Sequence, residues 1–306
     1  MLPALVAGGV DVHELRCLPL APLAPFAATL LAVSPSRSRM RLEHVVTGPE
    51  SFTRSVSHDL RGPPGGRGGT RTLAPFPHDR CRRRMRTRLR AMRIDFVSDI
   101  ACPWCAVGLH SLEAALARLG DAIPVELHLQ PFELNPTLPP EGDDTVAYLS
   151  RKYGIGPEQI ARNQATLRER GAAVGFTFGE RARVWNTFDA HRLLAFAAAE
   201  GPAGAARALK HALLHAYHGE GRNPGAPEVL RELAVRVGLD ARRADEVIAG
   251  DDYAAQVREA EQRWQQAGIH AVPSVVIDGR HLIQGGQPPE VFEQALRQIA
   301  AAPAAA

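Results

Sequence analysis

Residues 93–105 read Arg-Ile-Asp-Phe-Val-Ser-Asp-Ile-Ala-Cys-Pro-Trp-Cys, a short apolar run that leads into a Cys-x-x-Cys motif. The motif opens a stretch from Ala106 to Leu119 in which apolar residues recur near helical spacing. A strand, a Cys-x-x-Cys pair and then a helix is the layout of a dithiol redox site. The stretch therefore predicts a local fold and a chemistry together.

Each residue of the motif has a physical reason to be there. Pro103 suits the first turn of a helix, where a backbone N–H would lack a partner in any case. The partial positive charge at a helix N-terminus stabilises a thiolate on Cys102. Cys105 lies one turn further along and can resolve a mixed disulfide. We predict Cys102 as the nucleophile and Cys105 as the resolving cysteine, with Trp104 as a surface element that tunes them.

Three other interpretations of the Cys-x-x-Cys motif are a zinc site, a structural disulfide and a pair of inert buried thiols. A zinc site needs a second pair of ligands, and the only other cysteines, Cys17 and Cys81, are isolated. A structural disulfide, or two inert buried thiols, would fit the spacing but not the strand, proline and helix around it.

His211, His215 and His218 share a predicted helix face, but no cysteine or carboxylate accompanies them at matching spacing. No metal is predicted.

Composition narrows the class of protein. The chain has 306 residues and four cysteines, too few cysteines for a disulfide scaffold. It contains no 18-residue apolar run free of proline, so no membrane span is predicted. We expect a cytoplasmic location, where a Cys-x-x-Cys pair is more often catalytic than structural.

The charge divides the chain into two unlike parts. Residues 1–91 hold 15 Arg, no Lys and 6 acidic residues, whereas residues 92–306 hold 21 basic and 27 acidic residues. The first part also lacks a sustained helix or strand period. It is interpreted as a basic, disordered extension, or as an over-extended reading frame with translation starting at Met92. The basic balance therefore does not predict nucleic-acid binding by residues 92–302.

The rest of the chain reads as strands at both ends and helices between. Residues 124–131 alternate as a strand does, and residues 143–268 are helical in pattern. Residues 273–277 and 281–284 form a predicted hairpin around Asp278-Gly279. A last helix runs from Pro288 to about Ile299.

Five stretches carry a resemblance to a known family. They are Ser98 to Gly108 with the Cys-Pro-Trp-Cys motif, Phe132-Glu133-Leu134-Asn135-Pro136, Asn186 to Leu193, Glu220-Gly221-Arg222-Asn223, and Gly268 to Ser274. Their combination resembles the DsbA-like oxidoreductases, in the FrnE-type branch related to 2-hydroxychromene-2-carboxylate isomerases. The resemblance implies an α/β thioredoxin-like fold, β-α-β … β-β-α, over residues 92–302, with a helical domain inserted at about 141–268.

The resemblance also implies roles for residues away from the motif. Val272-Pro273 corresponds to a cis-proline loop that faces the dithiol and holds the substrate; the residues alone favour an ordinary trans proline at a strand start. Asn186 and His191 lie in a stretch that resembles a motif near the dithiol pocket. The alternative for these two is a helix N-cap followed by a solvent-facing histidine.

The implied function is thiol–disulfide exchange with a protein or small-molecule thiol or disulfide. No cofactor is required, and glutathione is expected as a reductant or ligand. Two other functions stay open: a glutathione-dependent isomerase or transferase of aromatic small molecules, and a chaperone or binding module. The isomerase relatives carry serine where this chain has Cys102, which argues for exchange. The oligomeric state is left undetermined, with a dimer as one option.

Overall fold

The computed structural model of the chain describes residues 91–302 and the backbone of residues 29–36 and 39–46. The strands are β1 (Thr29–Ser36), β2 (Arg39–Val46), β3 (Met92–Ser98), β4 (Val125–Pro131), β5 (Asp143–Asp144), β6 (Arg183–Val184), β7 (Ser274–Ile277) and β8 (His281–Gln284). The helices are α1 (Pro103–Leu119), α2 (Thr145–Tyr153), α3 (Pro157–Ala172), α4 (Phe188–Glu200), α5 (Ala205–Leu214), α6 (Pro227–Arg236), α7 (Ala241–Ala249), α8 (Ala254–Gln266) and α9 (Pro289–Ala301). A 3-10 turn covers Gly120–Ala122, and a π-helical turn covers His215–Gly219.

Six strands form one mixed sheet in the order β2-β1-β8-β7-β3-β4. β3 runs parallel to β4 and antiparallel to β7, so the strand that leads to the dithiol lies inside the sheet. The parallel pair needs a crossover, and α1 supplies it. β7 and β8 form the predicted hairpin, because Asp278 (φ 50°) and Gly279 (φ 66°) both adopt the left-handed backbone that such turns need.

The two faces of the sheet are covered by different helices, since successive strand residues point to opposite sides. Ile94 and Phe96 of β3 pack with α1 and α9 on one face. Val97 and Val276 face the other side, where they meet Trp264 of α8. Trp264 is a packing residue, because only 7% of it is exposed.

Helices α2 to α8 lie between β4 and β7 and are called the helical insert below. They have an apolar core of their own, in which Leu193 of α4 packs with Leu209 and Leu213 of α5. Asp144 caps the start of α2, because its carboxylate accepts the N–H of Ala147 at 2.8 Å.

One helix of the insert departs from the prediction. The sequence pattern predicts a single helix through His218, but α5 ends at Leu214 and a π-helical turn follows. The wider turn is closed by the N–H of Glu220, which donates to the His215 carbonyl five residues back at 3.1 Å. This turn buries the adjacent side chains Tyr217 and His218 together, which 3.6-residue spacing does not predict.

β1 and β2 also depart from the prediction that residues 1–91 contain no regular element. β1 extends the sheet through antiparallel pairing with β8, so backbone hydrogen bonds with a neighbouring strand define it rather than a periodic pattern. The remainder of that segment, with Cys17 and Cys81, lies outside the described residues. Within residues 91–302 and the two N-terminal strands, no helix is long and apolar enough to cross a membrane.

Candidate active site

The two motif cysteines occupy unlike places at the start of α1. Cys102 is the residue before the helix, with an extended backbone (φ −88°, ψ 112°), and Pro103 is the first helical residue. The N–H of Cys105 donates to the Cys102 carbonyl at 3.0 Å, which closes the first turn. Both are free thiols; Cys102 is 5% exposed and Cys105 is fully buried. Of the two sulfurs, that of Cys102 is therefore the one within reach of a substrate.

Their surroundings drive the two thiol pKa values apart. The pKa of Cys102 lies below its ordinary value, because the Cys105 thiol donates a hydrogen bond to it. Burial opposes this shift, and the N–H groups of Cys105 and Trp104 support it. The predicted thiolate at a helix N-terminus thus has its donors in place.

Cys105 shifts in the other direction. Burial raises its pKa well above the ordinary value, and the hydrogen bond and charge of Cys102 raise it further. Lys210 of α5 is the cation that counteracts this, and it is itself only 1% exposed. Burial lowers the pKa of Lys210, while Cys105 and Asp99 raise it. A buried lysine therefore lies near Cys105.

The loop before β7 faces Cys102 across a short gap. The Val272–Pro273 peptide bond is cis, as the resemblance implies. The Cys102 thiol donates to the Val272 carbonyl at 3.5 Å. Gly108 of α1 permits this approach, because a Cβ there would lie 2.9 Å from Cγ of Pro273.

Trp104 is half-buried beside a second loop, which follows β8. A Cβ on Gly286 would lie 3.0 Å from the Trp104 carbonyl oxygen and 3.2 Å from its ring. The guanidinium of Arg170 donates to the Gly286 carbonyl at 3.1 Å and so holds this loop from α3. Trp104 thus combines a partly open ring with a backbone packed against glycine.

Asp99, three residues before Cys102, accepts hydrogen bonds from both parts of the protein and is fully buried. The N–H groups of Ala101 (3.0 Å) and Leu134 (2.7 Å) come from the loops that follow β3 and β4. The Thr187 hydroxyl (2.7 Å) and His191 Nε2 (3.4 Å) come from the helical insert. Burial raises the pKa of Asp99, but the hydrogen bonds outweigh burial and the net pKa is lowered.

Asn186 and His191, which lie in one sequence motif, have different surroundings in the structure. His191 is 2% exposed and faces Asp99, so the alternative of a solvent-facing histidine is wrong. Asn186 contacts backbone rather than the dithiol. Its amide donates to the carbonyls of Pro136 (3.5 Å) and Leu138 (3.4 Å), and its carbonyl accepts the N–H of Phe188. It secures the proline-rich turn after β4.

The three histidines on the predicted helix face do not converge. His211 lies 2.9 Å from a carboxylate oxygen of Glu113, and His215 lies 3.2 Å from one of Glu220. His218 is buried against the Ile100 carbonyl. In the part of the chain that the structure describes, no group of three His, Cys, Asp or Glu residues has the geometry of a metal site.

Lys210 and Asp99 are site residues that the sequence reasoning missed. Asp99 lies in the stretch of residues 93–105, but a polar residue between a strand and a helix predicts only a loop. Lys210 lies next to Leu209 in an amphipathic helix, and lysine is almost never fully buried unless paired. The available signal was its register, since Leu209 and Leu213 define the buried side of that helix.

A cavity of about 1150 Å³ opens on the far side of these buried groups. It lies between β4 and helices α4, α5 and α8, and His191 and Lys210 line it along with Leu127 and Leu129. Neither motif cysteine lines this cavity. His191 and Lys210 thus stand between the dithiol and this second space.

A second polar contact joins the insert to the sheet. Arg258 of α8 donates to the carboxylates of Glu133, which follows β4, and of Glu261. Its guanidinium also lies 3.7 Å from the ring centroid of Phe188. Among the residues that the structure describes, one oxygen of each carboxylate is buried and has no hydrogen-bond partner. Burial raises the pKa of Glu261 to about 7, and the charge of Glu133 adds to this.

Comparison with known proteins agrees with this geometry. A probable DsbA oxidoreductase from Streptomyces coelicolor has 36% sequence identity and a TM-score of 0.65, over 70% of this chain and 92% of that one. A 2-hydroxychromene-2-carboxylate isomerase has 14% identity and a TM-score of 0.50, over 68% of this chain and 95% of that one, and shares the fold. No match to a curated protein is found.

The family model of the DSBA-like thioredoxin domain matches residues 93–297, about two thirds of the chain. The predicted family and the predicted thioredoxin-like fold with a helical insertion are confirmed. The chain belongs to the family of DSBA-like thioredoxin domain proteins.

Proposed function

We propose that the protein is a thiol–disulfide oxidoreductase that works through Cys102 and Cys105. The observation that carries this proposal is the geometry of the pair: Cys102 lies at the N-terminus of α1, 3.5 Å from the Val272 carbonyl oxygen, and Cys105 is buried one turn further along. A nucleophile needs a stabilised thiolate, and a resolving cysteine is kept protonated until a mixed disulfide has formed. In this proposal Val272 and Pro273 hold the substrate next to Cys102, and Trp104 contacts it.

The exchange runs in two steps in the reducing direction. The Cys102 thiolate attacks one sulfur of a substrate disulfide; a mixed disulfide forms, and the other substrate sulfur leaves as a thiolate. Cys105 gives its proton to that thiolate and attacks Cys102, so the Cys102–Cys105 disulfide forms and the first substrate sulfur leaves. Two electrons pass to the substrate. The same steps in reverse oxidise a substrate dithiol.

The reduction potential sets the direction. Related dithiols span about 150 mV, from thioredoxin to DsbA. Substrates would be protein or small-molecule thiols and disulfides, with glutathione as a reductant or ligand. The chemistry uses sulfur alone and needs no organic cofactor. A cytoplasmic location remains part of the proposal and would favour the reducing direction.

The test is the equilibrium of the dithiol with glutathione buffers, measured on the full chain by alkylation and mass spectrometry. A Cys17→Ser, Cys81→Ser background leaves Cys102 and Cys105 as the only cysteines. We expect a reversible two-electron couple. In that background Cys105→Ser should accumulate a mixed disulfide with glutathione, and Cys102→Ser should form none.

Two results would overturn the proposal. One is the absence of a Cys102–Cys105 disulfide at every ratio of reduced to oxidised glutathione. The other is an isomerase or transferase activity on aromatic substrates that persists in Cys102→Ser, because the isomerase relatives work with serine at that position.

A further inference from the structure

The π-helical turn after α5 presents a buried histidine to the loop that precedes the dithiol. His218 is 2% exposed, and its Nε2 lies 2.8 Å from the Ile100 carbonyl oxygen, two residues before Cys102. The imidazole packs against Tyr217, with ring centroids 4.7 Å apart, and against the edge of Phe178. π-helical turns are frequent at functional sites, because they shift the side chains that follow them.

The partners of His218 fix its tautomer. Nη1 of Arg181 lies 3.4 Å from His218 Nδ1. A guanidinium can only donate, so Nδ1 must accept and the proton must lie on Nε2. Nε2–H then donates to the Ile100 carbonyl. The tautomer thus matches both contacts at once.

The surroundings keep this histidine neutral. Burial lowers its pKa well below the ordinary value, and the charge of Arg181 lowers it further. The contact with Arg181 requires the neutral form, since a protonated imidazole could not accept from the guanidinium.

Arg181 also acts on the next peptide group. Its Nη1 lies 3.3 Å from the Ala101 carbonyl oxygen, and its guanidinium lies 5.0 Å from the ring centroid of Tyr217. The two carbonyls that precede Cys102 therefore both accept hydrogen bonds from the helical insert. On its other side this loop is held by Asp99, whose carbonyl accepts the Cys102 N–H at 3.3 Å.

We propose that His218, assisted by Arg181, is a positioning residue for the Cys102 thiolate, an inference that rests on the proposed function. His218 and Arg181 donate hydrogen bonds to the Ile100 and Ala101 carbonyls. These bonds point the carbonyl oxygens, with their partial negative charge, toward the insert and fix the orientation of the peptide groups before Cys102. The sulfur then faces the N–H donors at the start of α1. Without the pair, the same thiolate would be less stable.

The test compares two substitutions of His218 whose side-chain amides differ only in the length of the side chain. In His218→Gln the side-chain nitrogen can occupy the place of Nε2 and donate to Ile100. In His218→Asn the same amide is one bond too short. Asparagine is also smaller than histidine, so it does not overfill the core. His215→Asn is the matched control, because His215 lies on the same turn but pairs with Glu220 at the surface.

Two quantities are measured on full-length protein in the Cys17→Ser, Cys81→Ser background: the Cys102 pKa from thiolate ultraviolet absorbance, and the equilibrium constant with glutathione at a pH above that pKa. We expect His218→Asn to raise the pKa by about one unit and to shift the equilibrium about tenfold toward the disulfide, since the reduced thiolate form loses stability. His218→Gln and His215→Asn should stay within about twofold of the parent.

Identical values for Asn, Gln and the parent would overturn the inference while the proposed function stands, because the parent would still show a reversible couple. Equal shifts in Asn and Gln would overturn it as well, since the effect would not depend on reaching Ile100. If His218→Asn does not fold, Arg181→Met serves in its place, with Arg183→Met as the control, because the Arg183 guanidinium is exposed and donates to the Glu141 carbonyl. Only Arg181→Met should raise the Cys102 pKa.

Discussion

The sheet and the helical insert surround the same dithiol but contribute different chemistry. The sheet side supplies the sulfurs, the helix N-terminus, the Val272–Pro273 loop and one carboxylate, that of Asp99. The insert supplies the other ionisable side chains: His191, Lys210, and His218 with Arg181. In the proposed exchange, the sheet side therefore holds the reacting sulfurs and the insert supplies most of the ionisable groups around them.

This division has a physical basis. A thiol pKa responds to charges and donors within a few ångströms, and burial strengthens those interactions. In the thioredoxin-like part the space around the sulfurs is taken by backbone turns that create the helix N-terminus. Apart from Asp99, the ionisable side chains near the sulfurs come from the insert, which packs α4, α5 and the π-helical turn against the loop at residues 99–101.

The largest effect is expected from the removal of Asp99, which accepts hydrogen bonds both from the sheet loops and from the insert. Asp99→Ala should lower the free energy of unfolding by about 3 to 5 kcal/mol, because donors from the sheet loops and from the insert lose a buried carboxylate. Urea unfolding of reduced protein measures this.

The matched control is Asp189→Ala, in the first turn of α4. Asp189 is about half exposed and pairs with Arg192, so its loss should cost less than about 1 kcal/mol. If Asp99→Ala unfolded at the urea concentration of the control, Asp99 would not be the contact between the two parts.

A smaller change acts on the sheet side alone. In Gly108→Ala the new methyl group would lie 2.9 Å from Pro273 Cγ, so the loop must move away from α1. We expect a loss of about 1 to 2 kcal/mol, partly offset by the better helix propensity of alanine, and slower exchange with glutathione.

Gly156→Ala adds the same methyl group where no atom of the described part of the chain lies within 4 Å, and it should leave the exchange rate unchanged. Equal exchange rates in the two variants would show that the distance between Pro273 and α1 does not matter for the reaction.

The smallest expected effect concerns the second contact between sheet and insert, at Arg258. The folded protein raises the pKa of Glu261 to about 7, so the protonated carboxyl is favoured. A raised pKa contributes stability that is complete below the unfolded value near 4.5 and is lost as pH rises through about 7. The slope from this one group is at most about 1.4 kcal/mol per pH unit.

Glu261→Gln should flatten the fall in stability between pH 4.5 and about 7, as measured by urea unfolding at a series of pH values. Glu259→Gln, at an exposed position of the same helix, is the control and should keep the slope of the parent. An unchanged slope in Glu261→Gln would assign the pH dependence to another group.

Strands β3, β4, β7 and β8 and the place of the two motif cysteines were predictable because their signals are local. Alternation predicts β4, Asp278-Gly279 predicts the hairpin, and Pro103 predicts where α1 begins. The π-helical turn was not predictable, because an extra residue in a helix leaves no mark in a pattern with a period of 3.6. That single turn decides that His218 faces Ile100 rather than sharing a surface with His211.

The sequence by itself determined the fold class and predicted Cys102, Cys105 and the loop that faces them as the site, because each prediction depends on residues adjacent in the chain or on a recurring motif. Only the tertiary structure decided which charges surround the sulfurs. Lys210 is more than a hundred residues from Cys105, and His191 is 92 residues from Asp99. Electrostatic interactions depend on distance in space, and no periodicity in the chain records which distant side chains the packing of the insert brings within a few ångströms.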